Sequence, residues 1–323
     1  MKAAVLHQLG HFPEYGEFPA PIAETEQQLL ITVKAASIKN LDKSMASGRH
    51  YGSHEHLPTV VGIDGVGELA DGTRVYAMGI TGMMAEQALI DKDRYVKLPD
   101  GIDNVAAAAL PNVVIGAALA LKYRGGMEPG KTVLINGATG VTGKAAIQIA
   151  RHYGAKRVIA TGRNPEILKR LPSLGADEVI SLKLDDDVIV KRLKQIHAET
   201  PIDIVIDYTW GHPASLIISA LKGGGLKSID TVVKFVTVGS MAGDVIEVSS
   251  GVLRSSPIEL LGSGFGSLPQ AAITKLSAEI LPEMFQLMAD GKLQIDTDVV
   301  ALKDVETAWG HHESTGRRLV VVP

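Results

Sequence analysis

The residues with the most chemical content form the run Asn136-Gly137-Ala138-Thr139-Gly140-Val141-Thr142-Gly143, directly after the apolar stretch Thr132 to Asn136 and directly before a helix-patterned one. Set against the G-x-G-x-x-G spacing, the turn is Ala138-x-Gly140-x-x-Gly143, with alanine at the first position. Gly140 lets the backbone approach a pyrophosphate, and Gly143 lets the helix lie close on the strand. Gly140, Val141, Thr142 and Gly143 then present main-chain N–H groups at a helix N-terminus, where the dipole favours an anion. A glycine triplet also serves tight strand–helix packing for steric reasons alone. Here the strand before it, and the helix and second strand after it, favour a bound dinucleotide.

That second strand ends at Thr161-Gly162-Arg163-Asn164. An NAD site places Asp or Glu there to hold the ribose 2′-hydroxyl. A guanidinium in its place suits a 2′-phosphate through paired N–H donors, so the expected cofactor is NADP, used as NADPH. The competing assignment of Arg163 is a solvated arginine at a strand end.

These residues need a scaffold, and the chain's rhythm supplies one. The first hundred residues are short β-type runs, such as Leu29 to Ser37, Val60 to Val66 and Ala85 to Val96, with Gly62, Gly65, Gly67 and Gly72 marking tight bends. From about Lys131, strands alternate with helices: Arg157 to Thr161, Glu178 to Leu182, Ile202 to Tyr208, Phe235 to Gly239 and Ile258 to Gly262 read as strands. Helices are expected over Val141 to Tyr153, Pro165 to Leu174, Asp187 to Ala198 and Pro213 to Leu221. That alternation implies an α/β fold with a parallel, doubly wound sheet. After an amphipathic helix over Ser277 to Asp290, the tail returns to β-type runs ending in Arg318 to Val322, able to rejoin the first domain.

Composition narrows the function. At 323 residues the chain is long for one core, and two domains are expected. The net charge of −4 supplies no basic face, so nucleic acid is not an expected partner. There is no cysteine, which removes disulfides, thiol nucleophiles and cysteine-ligated zinc, and fits a cytoplasmic enzyme. The start carries too short an apolar run for a signal peptide. The strongest membrane candidate, Val105 to Leu121, is broken by Pro111, Asn112 and Gly116 and reads as a buried core helix.

Three segments carry a resemblance. They are Ser37-Ile38-Lys39-Asn40-Leu41-Asp42 with Ser47 to Tyr51 and Pro58 to Gly67; Lys97 to Gly101 leading to Ala106 to Pro111; and Pro129 to Ile135 running through the glycine turn to Leu174 to Ile180. In this order the chain resembles the zinc-free quinone oxidoreductase-like branch of the medium-chain dehydrogenase/reductase superfamily. The resemblance implies a Rossmann domain inserted into a GroES-like β-rich catalytic domain, divided as 1–112, 113–262 and 263–323, with an active-site cleft between the two. It also implies a homodimer and a small-molecule electron acceptor, a quinone or an α,β-unsaturated carbonyl, reduced by hydride transfer without zinc.

Zinc-using relatives carry Cys three residues before the Asp and a Gly-His-Glu motif further on; here those places hold Lys39 and Gly62-Ile63-Asp64. His50, His54, Glu55 and His56, like His311-His312, are read as solvated, so no metal is expected. Tyr51 matches a tyrosine placed near the nicotinamide in relatives, able to donate to the substrate oxygen or its reduced product; a packed loop aromatic is the alternative. Lys39 stands where zinc-free relatives carry Asn, so either its ammonium attracts an oxyanion or it points to the surface, and Asn40 takes the amide role. By position, Gly239-Ser240 and Gly264-Phe265 are nicotinamide neighbours, and Arg317 a phosphate or substrate neighbour. Val114 to Ala117 and Leu182 depart from the family pattern, so its Thr and Tyr contacts do not carry over. A different class of reading, an NADPH-binding protein in a structural, sensory or nucleic-acid-associated role, predicts binding with little turnover. Enoyl-thioester reduction would need a basic entrance that the sequence does not display.

Overall fold

The computed structural model describes residues 1–50, 52–222, 231–310 and 316–323, so Tyr51, His311 and His312 lie outside the described residues. The chain divides into two compact units, Met1–Asn112 with Ser277–Pro323, and Val113–Leu276.

The first unit holds strands β1 (Lys2–Leu6), β2 (Glu14–Glu17), β3 (Gln28–Ser37), β4 (Thr59–Val60), β5 (Asp64–Glu68), β6 (Arg74–Gly79) and β7 (Gln87–Lys97). The second holds β8 (Thr132–Asn136), β9 (Arg157–Gly162), β10 (Glu178–Ser181), β11 (Ile204–Asp207), β12 (Val233–Thr237) and β13 (Ile258–Gly262). The chain then returns to the first unit with β14 (Thr297–Ala301) and β15 (Arg318–Val322). Helix α1 spans Asn40–Ala46, α2 Asn104–Val114, α3 Val141–His152, α4 Pro165–Leu168, α5 Asp186–Glu199 and α6 Gly211–Ala220.

In the first unit the strands run in the order β14-β15-β3-β5-β6-β7, and β3 pairs with both β5 and β7, so part of the sheet closes on itself. The closure explains the alternation in β3: Ile31 and Val33 point inward and are buried. A bulge between Val33 and Ala35 bends the strand toward closure. Leu6, Ile38, Met83, Met84, Ile90 and Trp309 fill this core with Ile31, Val33 and, past the bulge, Ala36. The C-terminal tail rejoins the unit through β15, which pairs antiparallel to β3.

In the second unit the order is β10-β9-β8-β11-β12-β13 with every neighbouring pair parallel. Succession runs outward from β8 to β9 and β10, then restarts at β11 on its other side. This is the doubly wound, Rossmann-type arrangement, and the reversal lies between β8 and β11. Leu134, Ile159, Val205 and Phe235 pack against Leu193, Ile196 and Ile217 of α5 and α6. Such continuous burial is why these strands read as unbroken apolar runs.

Three expectations are corrected. The helix expected over Pro165 to Leu174 is α4 followed by a separate 3₁₀ turn, Leu171–Leu174, because Pro172 has no N–H for an α-helical bond. The helix expected over Ser277 to Asp290 opens as π-helical turns, Leu276–Ile280, before the α-helix Leu281–Ala289; Pro282 interrupts the same ladder. The return to the first unit begins at Ser277, later than residue 263, because the segment after β13, a 3₁₀ turn at Phe265–Ser267 and a short helix at Gln270–Lys275, belongs to the second compact unit. The helical run Asn104–Arg124 is long and apolar enough to cross a bilayer, but 67% of its most apolar window is buried within the protein.

Candidate functional site

The C-terminal ends of β8 and β9 build the turn. Gly137 takes φ 84°, a conformation that favours glycine, and the Gly137 and Ala138 N–H groups donate to the Thr161 carbonyl at 3.2 and 2.8 Å. Gly140 then caps α3 in an extended conformation and, lacking a side chain, gives the first-turn N–H groups no cap hydrogen bond. Those donors are left for a ligand, at the positive end of a 12-residue helix.

The glycines differ in what they permit. A Cβ on Gly143 would lie 2.4 Å from the Gly137 carbonyl oxygen and 2.6 Å from the Ala138 Cα, both backbone atoms. On Gly140 it would meet only the Gly137 oxygen, at 3.5 Å. Gly143 is therefore fixed by packing, while the open side of Gly140 leaves room for a pyrophosphate. A Cβ on Gly162 would meet the Thr139 side chain, Cγ2 at 2.5 Å, so a larger residue there would displace Thr139 from beside the turn. Gly143→Ala is expected to raise the Kd for NADPH about tenfold and to destabilise the protein by about 1–3 kcal/mol. Cofactor titration with thermal unfolding checks this; wild-type values in both would mean the turn opens to admit a methyl group.

Arg163 follows Gly162 at the end of β9, exposed, with no hydrogen-bond or ion-pair partner among the described residues. Asn164 serves its own helix: the side-chain oxygen accepts from the Glu166 and Ile167 N–H groups at 3.1 and 3.3 Å and caps α4. Gly239 and Ser240 follow β12, and the Gly239 N–H donates to the Asp207 carbonyl at 3.3 Å. Gly264 and Phe265 follow β13 and are exposed. Arg317, expected beside a phosphate or substrate, is instead committed to its neighbouring strand: Nε donates to Asp298 Oδ1 at 2.5 Å and an Nη to the Thr297 carbonyl.

In the first unit Lys39 is neither at the surface nor presenting its charge outward; it is 2% exposed. Its Nζ donates to Asp64 Oδ1 at 2.5 Å, to the Ser37 carbonyl at 2.9 Å and to Ser37 Oγ at 3.3 Å, with Asp42 Oδ2 also 3.3 Å away. Four oxygens thus surround an ammonium with three protons, and none is left over for a substrate oxyanion. Asp42 Oδ2 accepts the Lys39 N–H at 2.9 Å and Oδ1 the Ile63 N–H at 3.0 Å, while Tyr76 donates to Asp64 Oδ2 at 2.8 Å. The cluster joins the end of β3, the start of α1, the turn into β5 and strand β6. Burial draws the Lys39 pKa down, but Asp42 and Asp64 outweigh it and hold the ammonium above its ordinary value. Asn40, the first residue of α1, is exposed.

Three buried carboxylates carried no assignment in the sequence. Asp42 and Asp64 stood inside the quoted motifs without a role, and Asp207 closes a strand that reads as purely apolar, Ile204–Asp207. A carboxylate at the end of a buried run is the one signal that marks such a residue. Among the described residues no three His, Asp or Glu side chains converge as metal ligands.

Comparison with known proteins agrees with this architecture. A family profile described as zinc-binding dehydrogenase matches residues 141–282, a stretch that does not include Lys39. Quinone oxidoreductase of Pongo abelii is 30% identical over 239 residues, 70% of this chain and 71% of that protein. A probable NADPH-dependent quinone reductase of Emericella nidulans is 27% identical over 96% of each chain. The quinone oxidoreductase of Thermus thermophilus, solved also in complex with NADPH, superposes with a TM-score of 0.82 at 28% identity over the whole of both chains. The chain belongs to the quinone oxidoreductase-like branch of the medium-chain dehydrogenase/reductase superfamily.

Proposed function

We propose that this protein reduces quinones or α,β-unsaturated carbonyls by hydride transfer from NADPH, without a catalytic zinc. It is an NADPH-dependent oxidoreductase by family, and the glycine turn fits that cofactor: N–H groups without a side-chain cap, an open Gly140 and, at Arg163, a guanidinium with no partner among the described residues. The acceptor class is supported by relatives that are themselves quinone oxidoreductases.

The observation that carries the zinc-free reading is the Lys39 ammonium. It occupies the position of the cysteine in zinc-using relatives, already surrounded by the oxygens of Ser37, Asp42 and Asp64. A divalent cation there would face the positive charge of Lys39, and no thiolate exists to bind it.

When bound, NADPH supplies the hydride. The protein's residues hold and orient: the first turn of α3 takes the pyrophosphate, Arg163 the 2′-phosphate, and Gly239-Ser240 with Gly264-Phe265 border the nicotinamide half. With Lys39 turned inward, donation to the acceptor oxygen falls to Asn40 and Tyr51. Most of the rate enhancement then comes from orientation of the two partners. A screen of NADPH oxidation against quinones, enals and enones, with and without a chelator, tests this. Turnover that survives chelation is expected. Cofactor binding without turnover on any acceptor would favour a non-catalytic NADPH-binding protein, and turnover abolished by chelation would reinstate a metal.

A further inference from the structure

Beneath the glycine turn lies a buried polar assembly that direct contact with a cofactor does not explain. Asp207 ends β11 with 0% exposure, and its carboxylate accepts hydrogen bonds without donating any. Oδ1 takes Asn136 Nδ2 at 2.7 Å, the Thr209 N–H at 3.0 Å, Thr209 Oγ1 at 2.9 Å and the Trp210 N–H at 3.2 Å; Oδ2 takes the same Trp210 N–H at 3.0 Å. All of these donors are neutral. Asn136, also wholly buried, donates to Thr209 Oγ1 at 2.7 Å and accepts from Thr161 Oγ1 at 2.5 Å. Trp210 is the one non-glycine residue with positive φ among the described residues, at φ 51° and ψ −155°. A buried charge without a cation and a strained backbone are both costly, and such features concentrate where a site must be held in one geometry.

We propose that Asp207 is a positioning residue for the dinucleotide, an inference that rests on the NADPH reading above. Through Asn136 and Thr161 it ties the end of β8 to the end of β9, and so the glycine turn to Gly162-Arg163. Through the Thr209 and Trp210 N–H groups it holds the loop after β11. That loop is seated on the turn, since a Cβ on Gly137 would lie 2.8 Å from Thr209 Cγ2. The loop also reaches the exit of β12: the Thr209 carbonyl accepts the Ala242 N–H at 2.7 Å, and the Asp207 carbonyl the Val238 N–H at 2.7 Å. The carboxylate thereby holds the end of β8 and the loop after β11 directly and the end of β9 through Asn136, while the main chain of Asp207 and Thr209 carries the tie to the exit of β12. A dinucleotide lies across the reversal point and is bound by aimed N–H groups, so a loss of aim weakens any nicotinamide dinucleotide.

Asp207→Asn puts an NH₂ among these donors in place of one acceptor oxygen. Wild-type binding of NADPH, followed by nicotinamide fluorescence, is measured first; its absence would sink the NADPH reading itself. In the variant, the Kd for NADPH and for NADH and the KM for NADPH rise about tenfold, while kcat at saturating cofactor stays within about threefold. Wild-type Kd and KM, even with a lowered melting temperature, would reduce Asp207 to a stabiliser of the fold and overturn the proposal. Should that variant not fold, Thr209→Val decides, since it removes only the hydroxyl bridging Asn136 and Asp207. It raises the Kd about threefold, and an unchanged Kd there overturns the proposal equally.

Discussion

Arg163→Asp raises the Kd for NADPH about a hundredfold and leaves that for NADH within about twofold. A guanidinium gripping a phosphate through paired, charge-assisted hydrogen bonds contributes about 1.5–3 kcal/mol, and a carboxylate in its place adds repulsion on the order of 1 kcal/mol at a solvated site. The sum, near 3 kcal/mol, is about two powers of ten. NADH has a hydroxyl where NADPH has the phosphate, and a carboxylate at this position accepts a hydrogen bond from it. The substitution leaves the fold alone, because Arg163 is exposed and engages no other described residue. Titration of both reduced cofactors checks it. Equal losses for NADPH and NADH would remove the 2′-phosphate from the account, and no loss for either would make Arg163 a solvated arginine at a strand end.

Lys39→Met is expected to destabilise the first unit by about 3–5 kcal/mol, because it strands two buried carboxylates without their cation. For a unit of this size that lowers the melting temperature by about 10 °C. Lys39→Met combined with Asp64→Asn recovers part of the loss, since only Asp42 then keeps an uncompensated charge; the two substitutions are in contact and do not add. The pH dependence has a definite sign. The folded pKa of Lys39 lies above its ordinary value, so the stabilisation is complete below about pH 10.4 and is lost as pH rises through the higher folded value. The difference in melting temperature between wild type and variant should hold from neutral pH to that point and shrink above it. A variant that melts with the wild type but loses turnover would place the ammonium on the substrate instead.

These two arginine and lysine positions divide what was legible from what was not. The position of Arg163 just past the end of β9 could be placed because it is local: a strand, a glycine turn, a helix and the next strand lie within one short stretch of chain, and the spacing is set by backbone geometry. The first unit was legible for the same reason, as alternating burial along β3 and its partners. Helix continuity was less so, since Pro172 and Pro282 break ladders inside stretches whose apolar pattern runs on.

The sequence by itself determined the doubly wound sheet, the glycine turn between its first strand and helix, the exposed arginine that follows the second strand and the lack of any thiolate for a metal. Only the tertiary structure decided where the polar side chains point. Lys39 turns inward because its partner Asp64 is 25 residues away, and Asp207 acquires its role from Asn136, 71 residues distant. A charge is drawn to whatever opposite charge or donor the fold brings near it, and the burial that makes those contacts strong exists only once distant strands have packed. Periodicity records which face of an element is covered. It does not record which atom on a strand packed from elsewhere in the chain will meet a given carboxylate.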